Sequence, residues 1–320
     1  MENSKTKDII SKIPNIMRQH IVLIALVVVV TFFGIAADNF FTLQNFFNIG
    51  RQTAIISIIA FGMTYLIISA NIDLSVGSVS ALGGLVCAIV IQFTSSIILG
   101  VVAGLMLGAT FGLLNGIIST KFRVPSFLTT LGTLGIARGI ALLATGTKPV
   151  VIYKVNFWKA FGDGQIGGVF PIIILWTLII FFVSYIILKY SGFGMQVYAT
   201  GGNILAAKYF GIKTKRIIII IFVITGILAS FAGIVLASRM HTAWPNSGRG
   251  LELDVIAAVI LGGTSLFGGK GTIQGTILGA IVIGTINNGL ILMGGSTQIQ
   301  TLVRSILIIA AVIFALDKKE

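Results

Sequence analysis

Polar side chains interrupt two strongly hydrophobic stretches at residues 71–78 (NIDLSVGS). The segment contributes Asn71, Asp73, Ser75 and Ser78, whose amide, carboxylate and hydroxyl groups can hydrogen-bond a polar solute. A carboxylate at the depth of a membrane is costly, so Asp73 is a candidate for a transport pathway. The alternative is that Asp73 caps the following helix by accepting its free amide protons. The sequence leaves both interpretations open.

A second group of charged residues lies at 249–254. Glu252 and Asp254 could accept hydrogen bonds from the hydroxyl groups of a polyol, which would place them on a translocation path. They could equally pair with Arg249 and only fix the loop. Both acids are therefore path candidates without a decision between the two roles.

Two adjacent asparagines, Asn287 and Asn288, lie inside an apolar stretch. Neighbouring residues on a helix point about 100° apart, so at most one of them faces a pore squarely. The other is expected to hydrogen-bond a neighbouring helix, which is the commoner use of a buried asparagine. Both are retained as path candidates.

The loop at residues 189–216 carries five basic residues and no acidic one. Within it, residues 201–212 (GGNILAAKYFGI) predict a turn, a short helix and a glycine stop. Such a helix can lie on lipid headgroups, but the small side chains of Ala206 and Ala207 permit close docking of another protein, which we favour. The predicted contact residues are Gly201, Gly202, Asn203, Ala206, Ala207, Gly211 and Ile212.

No pattern of catalytic residues is evident. The two histidines, His20 and His241, are far apart, and Cys87 is the only cysteine. Residues 264–272 superficially resemble a nucleotide-binding P-loop, but Thr264 replaces its first glycine and Gly271 its Ser or Thr. We therefore expect no ATPase or other catalytic residue, no cofactor and no metal site in this chain.

The elements that position these residues follow from composition. Of the 320 residues, 56% are hydrophobic and only 10% are charged, whereas a soluble domain carries roughly 25% charged residues. The apolar stretches are unbroken rather than alternating, which favours membrane-spanning helices over a β-barrel. In a membrane protein, a net charge of +13 is explained by basic residues that hold the cytoplasmic loops at anionic lipid. Nucleic acid is therefore not an expected partner.

The hydrophobic pattern predicts an all-α integral membrane protein with about ten transmembrane helices. They are expected at residues 21–37, 52–69, 74–93, 97–119, 126–144, 170–188, 217–238, 254–269, 273–293 and 300–316. Residues 21–316 thus form one membrane domain, which a polar segment (1–20) precedes and a short tail (317–320) follows.

Loop charge predicts the orientation of the chain. If the N-terminus is cytoplasmic, the cytoplasmic segments hold more than twice as many Lys and Arg residues as the outer ones, which agrees with the positive-inside rule. Both termini are then cytoplasmic. Five spans per half make the second half start on the opposite side, so we predict two inverted halves. A faint match between the segments that begin at Asp73 and Asp254 agrees with this.

The chain resembles the permease subunit of ribose-type ABC sugar importers over nearly its whole length. The segments that carry the resemblance are 72–78, 130–134 with Arg138 and Gly139, 199–203, 252–254, 261–265 and 287–289. It implies a permease in the bacterial plasma (inner) membrane that forms the pathway for a monosaccharide, with ribose the first choice. The implied partners are a cytoplasmic ABC ATPase, a periplasmic or lipid-anchored sugar-binding protein, and a second permease copy in a homodimer. Residues 201–212 match the family's coupling helix.

Two departures from the family pattern concern the path and the ATPase. Ala70 and Asn71 stand where the family usually has two glycines, which bears on the shape of the pathway. Ile204 and Leu205 stand where an acidic residue is common, which implies a less basic docking groove on the ATPase. The rival interpretation is a stand-alone channel or an ion-coupled secondary transporter for a small polar solute. It would need an acid at mid-membrane, and Asp73 is the one plausibly placed.

Overall fold

The computed structural model describes residues 21–296, 298–303, 305–306 and 309. Its helices are α1 (Ile21–Ala36), α2 (Leu43–Ile68), α3 (Val76–Thr94), α4 (Ile97–Lys121), α5 (Ser126–Thr145), α6 (Val155–Phe161), α7 (Ile172–Tyr190), α8 (Gly192–Gly202), α9 (Ile204–Tyr209), α10 (Thr214–Arg239), α11 (Leu251–Leu261) and α12 (Ile273–Leu292). Four two-residue strands, β1 (Val150–Val151), β2 (Gln165–Ile166), β3 (Phe170–Pro171) and β4 (Thr242–Ala243), pair antiparallel as β1–β4 and β2–β3.

Seven of the described helices are long and apolar enough to cross a membrane, namely α2, α3, α4, α5, α7, α10 and α12. The prediction of an all-α integral membrane protein is confirmed at this level. α1 is a shorter apolar helix. The prediction of a span at 300–316 falls mostly outside the described residues, as do those for residues 1–20 and 317–320.

The segment predicted as a span at 254–269 has a different structure. Its helix, α11, has 11 residues, which is about 16 Å at 1.5 Å per residue and about half of what a 30 Å hydrocarbon core requires. The helix ends at Gly262, and Gly263 adopts a φ of 86°. Apolar residues continue past these glycines, so hydrophobicity alone did not reveal where the helix ends.

The core is built on close contact between helix backbones. Along α4 every fourth residue from Gly100 to Gly116 is glycine, and this stripe faces α3 and α10. A Cβ at Gly104 would lie 2.8 Å from the carbonyl oxygen of Gly83, and a Cβ at Gly108 would overlap the carbonyl oxygen of Gly226. Small residues at helix contacts let backbones approach closely, which is how helices associate without water to drive them together.

α10 spans the bundle and defines its two ends. With 26 residues it is as long as α2, or about 39 Å. At its start lies the end of the molecule formed by α8, α9 and the 262–272 loop, where Gly269 N donates to Ile68 O at the end of α2 (2.8 Å). At its finish Ser238 Oγ donates to the Phe157 carbonyl of α6 (3.0 Å). We call these the α9 end and the α6 end.

Candidate functional site

Six of the eight predicted path residues lie in two interruptions of the helical bundle or in the first turn of the helix that follows each of them. The first break (residues 69–75) joins α2 to α3, and Ala70 within it adopts a φ of 59°. The second break (residues 244–250) joins β4 to α11, and Gly248 and Gly250 adopt φ angles of 70° and 77°. Non-helical backbone at membrane depth must be enclosed by protein or line a cavity. The two breaks are therefore candidate parts of a translocation path.

Asp73 is the centre of the hydrogen bonds that hold the first break. Its side chain is 1% exposed. Oδ1 accepts from the Ser75 amide (2.8 Å) and from Ser75 Oγ (2.6 Å), and Oδ2 accepts from Asn115 Nδ2 of α4 (3.3 Å). Ser75 rather than Asp73 is the residue that precedes α3, and its side chain makes no capping bond. The carboxylate therefore fixes the turn before the helix and ties it to α4.

Threonines and a serine of α5 extend this arrangement. Thr133 Oγ1 donates to Asn115 Oδ1 (2.8 Å), and Thr130 Oγ1 accepts from the Leu74 amide (3.0 Å). Ser126 Oγ accepts from the Ile72 amide (3.2 Å). Three positions on one side of α5 thus hydrogen-bond the first break or its α4 partner. Residues 72–75, α4 and α5 form one hydrogen-bonded unit.

The second break leads into the half-length helix α11. Because the last turn of α11 lies near the α9 end and the helix is short, its first turn lies inside the bundle. Glu252 Oε1 accepts from the Gly250 amide there (3.2 Å), and Asp254 is 4% exposed. Arg138 of α5 reaches the preceding loop, where its Nη1 donates to the carbonyl oxygens of Pro245 (2.5 Å) and Ser247 (2.8 Å).

The second break packs against the first turn of α3. A Cβ at Gly77 would overlap the Glu252 carboxylate and the Gly248 carbonyl oxygen, so only glycine fits there. A Cβ at Gly248 would lie 2.9 Å from Ser80 Oγ. The structure therefore brings Glu252 to the same region as Asp73, Ser75 and Ser78, although at least 174 residues of sequence separate it from each of them. Ser78 itself is buried.

The other predicted path residues are more scattered. Asn71 lies half-buried in the first break, and its Nδ2 donates to the Ser69 carbonyl (2.8 Å). Asn288 is buried and Asn287 half-buried in α12. Around them α12 packs with Gly284 on Thr53 of α2 and with Gly289 on Phe33 of α1. The asparagines thus belong to the side of the bundle formed by α1 and α2.

At the α9 end, the loop predicted to dock a partner has the predicted short helix and glycine stop, but residues 201–202 end the helix α8 instead of forming a turn. Asn203 begins α9, and its Oδ1 accepts from the amides of Leu205 (3.1 Å) and Ala206 (3.0 Å). Gly211 follows the helix with a φ of 79°. Gly201 packs directly on the Ile68 carbonyl, so its small size is structural.

Contacts at this end connect α8 and α9 to the bundle. Ala207 is buried, whereas Gly202 is exposed, Ala206 and Ile212 are half-buried, and no described atom lies within 4 Å of a Cβ built at Gly202. Tyr198 Oη donates to the Gly271 carbonyl (2.7 Å), and burial raises the pKa of this phenol, which keeps it a donor. α8 and α9 are thereby fixed to the 262–272 loop and to α2.

Large apolar side chains project from α9 into the surroundings. Leu205 is 64% exposed, Tyr209 91% and Phe210 87%. The basic residues Lys208, Lys213, Lys215 and Arg216 lie in the same loop. A contiguous apolar surface rimmed by polar residues marks an interaction site. We call Leu205, Tyr209 and Phe210 the apolar knob; none of the three was among the contact residues predicted from the sequence.

The α6 end carries an aromatic and polar surface. The rings of Trp158 and His241 stack with their centroids 4.0 Å apart, and His241 Nε2 lies 3.4 Å from an Asp163 carboxylate oxygen. Beside them is a pocket of about 420 Å³ lined by residues of 155–165, including Lys159 and Gln165. This surface is open to a partner that approaches from the α6 end.

Several functional residues were not among the predicted site residues. Arg138, Asn115, Thr130 and Thr133 hold the two breaks through contacts that join distant parts of the chain. For Arg138 a signal was present, because a charged residue within a membrane span is rare and marks a functional position by default. The roles of the threonines and Asn115 depend on tertiary contacts that no local pattern shows.

Comparison with known proteins gives consistent matches. The family profile described as branched-chain amino acid transport system / permease component matches residues 45–312. The chain is 41% identical over 294 residues to the ribose import permease protein RbsC of Escherichia coli (strain K12), which covers 91% of each chain.

Two further relatives match over similar lengths. The chain is 39% identical over 298 residues to RbsC of Bacillus subtilis (93% of this chain, 92% of the relative). It is 35% identical over 300 residues to the L-arabinose ABC transporter permease protein AraH of Azospirillum brasilense (93% and 87%). No solved structure matches the chain.

Proposed function

We infer the function from one premise: the chain belongs to the branched-chain amino acid transport system / permease component family, and within it to the ribose-type ABC importer permeases. It is the permease subunit of a sugar ABC importer, a multi-pass protein of the inner membrane. Although the family profile is named for amino acids, the relatives above are named for ribose and L-arabinose. We propose ribose as the substrate, because the ribose permeases are the more similar of these.

The observation that carries the mechanism is the exposed apolar knob on α9. In an ABC importer the permease must receive the work of ATP hydrolysis from a separate subunit. Leu205, Tyr209 and Phe210 offer an apolar contact to such a subunit, and α8, which directly precedes α9, is fixed to α2 and the 262–272 loop through Gly201 and Tyr198. We propose that α9 is the coupling helix, so the α9 end is cytoplasmic and the ATPase docks there.

The orientation and repeat that we propose follow from this assignment. With the α9 end in the cytoplasm, both termini are cytoplasmic and residues 21–316 cross the membrane ten times in two inverted halves, with one crossing made by the second break and the half-length α11. The helix packing supports such a relation, since α10 packs on α3 and α4 as α2 packs on α11 and α12. In this correspondence α11 is the counterpart of α3, and each follows a break.

The sugar path that we propose runs beside the two breaks. Glu252 and the backbone around Gly248 supply hydrogen-bonding groups there, and the buried Asp73, Asp254, Ser75 and Ser78 support the surrounding backbone. The Asp73 carboxylate accepts three hydrogen bonds within the protein. This arrangement favours a structural role for Asp73 over the role of a proton- or ion-exchanging acid in an ion-coupled transporter. Asn71, Asn287 and Asn288 remain path candidates.

Two further partners complete the proposal. An extracytoplasmic sugar-binding protein would dock on the α6 end, where Lys154, Lys159 and Asp163 are exposed. A second copy of the chain would face α5, whose outer side is exposed. On that side, no described atom lies within 4 Å of a Cβ built at Gly132, Gly135 or Gly139, which leaves room for another helix.

A pair of substitutions on the coupling helix tests the proposal. Gly202→Asp and Ala206→Asp together should abolish sugar uptake while the protein still inserts, because Gly202 has open space around it and the added charges oppose an apolar contact. Uptake of radiolabelled ribose and recovery of the tagged chain from membranes would be measured in the same cells.

The control is Gly192→Asp, which adds one of the two carboxylates at an exposed glycine of α8 with open space. It should keep uptake near the parent level. If the double variant transports ribose as well as the control does, α9 is not the coupling helix.

A further inference from the structure

Arg138 is a charged residue in the middle of a membrane-spanning helix. A guanidinium there is costly and needs partners that compensate for its lost hydration. Its Nη1 donates to the backbone carbonyls of Pro245 (2.5 Å) and Ser247 (2.8 Å), 107 and 109 residues further along the chain, and the charges of Glu252 and Arg249 also act on the guanidinium. Hydrogen bonds from a charged donor are stronger than neutral ones, so this is a specific link between α5 and the second break.

Hydrogen bonds attach α5 to the two breaks. Of the residues in its most apolar stretch, 28% are buried, against 89% in α2. One side of α5 is open around Gly132, Gly135 and Gly139. Nearer its start, Thr130 and Thr133 hydrogen-bond the first break and its partner Asn115. Further along, Arg138 hydrogen-bonds the second break. One helix therefore hydrogen-bonds both breaks or their immediate partners.

The second break has little regular structure of its own. Its backbone passes through left-handed φ angles at Gly248 and Gly250, and it packs on α3 by the close approach of Gly248 to Gly77. α11 begins directly after this segment, at Leu251, and Glu252 lies in its first turn. Arg138 is thus the side chain of α5 that sets where this loop, and the first turn of α11 with it, lies relative to α5.

We propose that Arg138 is a positioning residue that links the second break to α5, so that the loop and the first turn of α11 follow α5 when the permease changes state. The inference rests on the proposed permease function and extends it to a residue outside the predicted path and coupling sets. A link of this kind predicts that loss of the guanidinium releases the loop and impairs transport without separating the permease from its ATPase.

The loop position can be measured directly with a cysteine. Ser247→Cys keeps the carbonyl that Arg138 binds and places a thiol on a half-buried position, while the native Cys87 is fully buried. The labelling rate of this thiol by a maleimide would be compared in the intact transporter with Arg138, Arg138→Gln or Arg138→Lys. Loss of two charge-assisted hydrogen bonds should raise the rate roughly tenfold or more in the Gln variant.

The Lys variant separates charge from geometry. A lysine keeps the positive charge but lacks the planar guanidinium, so it should label at an intermediate rate and transport ribose better than the Gln variant does. The matched control is Arg123→Gln, an exposed arginine just before α5, which should change neither rate. Ribose uptake with saturating binding protein would be measured in the same set and should fall about tenfold or more in the Gln variant.

Each outcome bears on the proposal. A labelling rate at Ser247→Cys that is the same with Arg138 and with Gln, or a Gln variant with full uptake, would overturn it. If the Gln variant cannot be recovered as a monodisperse protein, the Lys variant decides, because an unchanged labelling rate and full uptake there would overturn it as well. Failure of every variant, the parent included, to retain an ATPase would instead count against the proposed function.

Discussion

The two breaks in the bundle are held in different ways. In the first, a buried carboxylate, an asparagine of α4 and hydroxyls of α5 form a continuous set of side-chain hydrogen bonds around Asp73. In the second, the backbone is held by the Arg138 side chain and by the close approach of glycines to α3. Breaking the first arrangement leaves several buried groups unsatisfied, whereas the second depends on two hydrogen bonds from one guanidinium, on which the charges of Glu252 and Arg249 also act.

On the proposal that the second break follows α5, the first break is a fixed connection and the second a movable one. The helix after the first break, α3, has 19 residues and crosses the bundle, and the helix after the second, α11, has 11. A short helix that begins inside the bundle can shift with less loss of packing than a long one. We therefore expect substitutions at the first break to affect folding and substitutions at the second to affect transport.

The largest effect should come from Asp73→Ala. The substitution leaves the Ser75 amide, Ser75 Oγ and Asn115 Nδ2 without their acceptor. At about 1–3 kcal/mol for each unsatisfied buried group, the loss is comparable to the whole stability of many proteins. Little monodisperse protein should be recovered in mild detergent, as measured by size-exclusion chromatography after heating.

Asp73→Asn is the matched control for this substitution. Its side-chain oxygen can still accept from Ser75, so the asparagine variant should be recovered in larger amounts than the alanine variant. If the alanine variant is as heat-resistant as the parent, the first break is not held by this carboxylate.

The next effect should be seen with Gly77→Val, where transport rather than folding is the target. The new side chain would overlap the Glu252 carboxylate and the Gly248 carbonyl, so the second break must move away from α3. Ribose uptake should fall roughly tenfold, with a smaller change in stability than Asp73→Ala causes. Gly192→Ala, at an exposed glycine of α8 with open space around it, is the control and should transport normally. Full uptake by the valine variant would show that the close approach is unimportant.

The smallest effect should come from Thr133→Val. It removes the hydrogen bond to Asn115 Oδ1 but keeps the shape of the side chain. The expected destabilisation is about 1 kcal/mol. Thr110→Val is a fair comparison, because the Thr110 hydroxyl donates only to the Met106 carbonyl of its own helix on an exposed side. A thermal midpoint for Thr133→Val at or above that of Thr110→Val would argue against a continuous network.

The sequence was sufficient to predict the long helices and most of their ends, but not the start of α2 or the end of α11. α3, α4, α5, α10 and α12 begin and end within a few residues of their predicted spans, since unbroken apolar runs mark them. α2 starts at Leu43, before the apolar run, because Thr42 caps it by accepting from the Asn45 amide (3.2 Å). α11 is shorter than its apolar run because Gly262 and Gly263 end it.

The candidate site was predicted less completely than the fold. The polar residues at the two breaks were identified from their unusual position between apolar stretches. Their partners were not, because Asn115 lies 42 residues from Asp73, and Pro245 lies 107 residues from Arg138. Such contacts depend on how α4 and α5 pack, and that packing is set by tertiary structure rather than by local pattern.

The most direct test of the account is reconstitution in liposomes. The tagged chain, purified in mild detergent with the ATPase that co-purifies with it, would be assayed for uptake of radiolabelled ribose with its binding protein. The account predicts uptake that requires ATP, the ATPase and the binding protein together, and that is lost in the Gly202→Asp, Ala206→Asp variant. A chain that purifies alone and carries ribose into liposomes without ATP would contradict it.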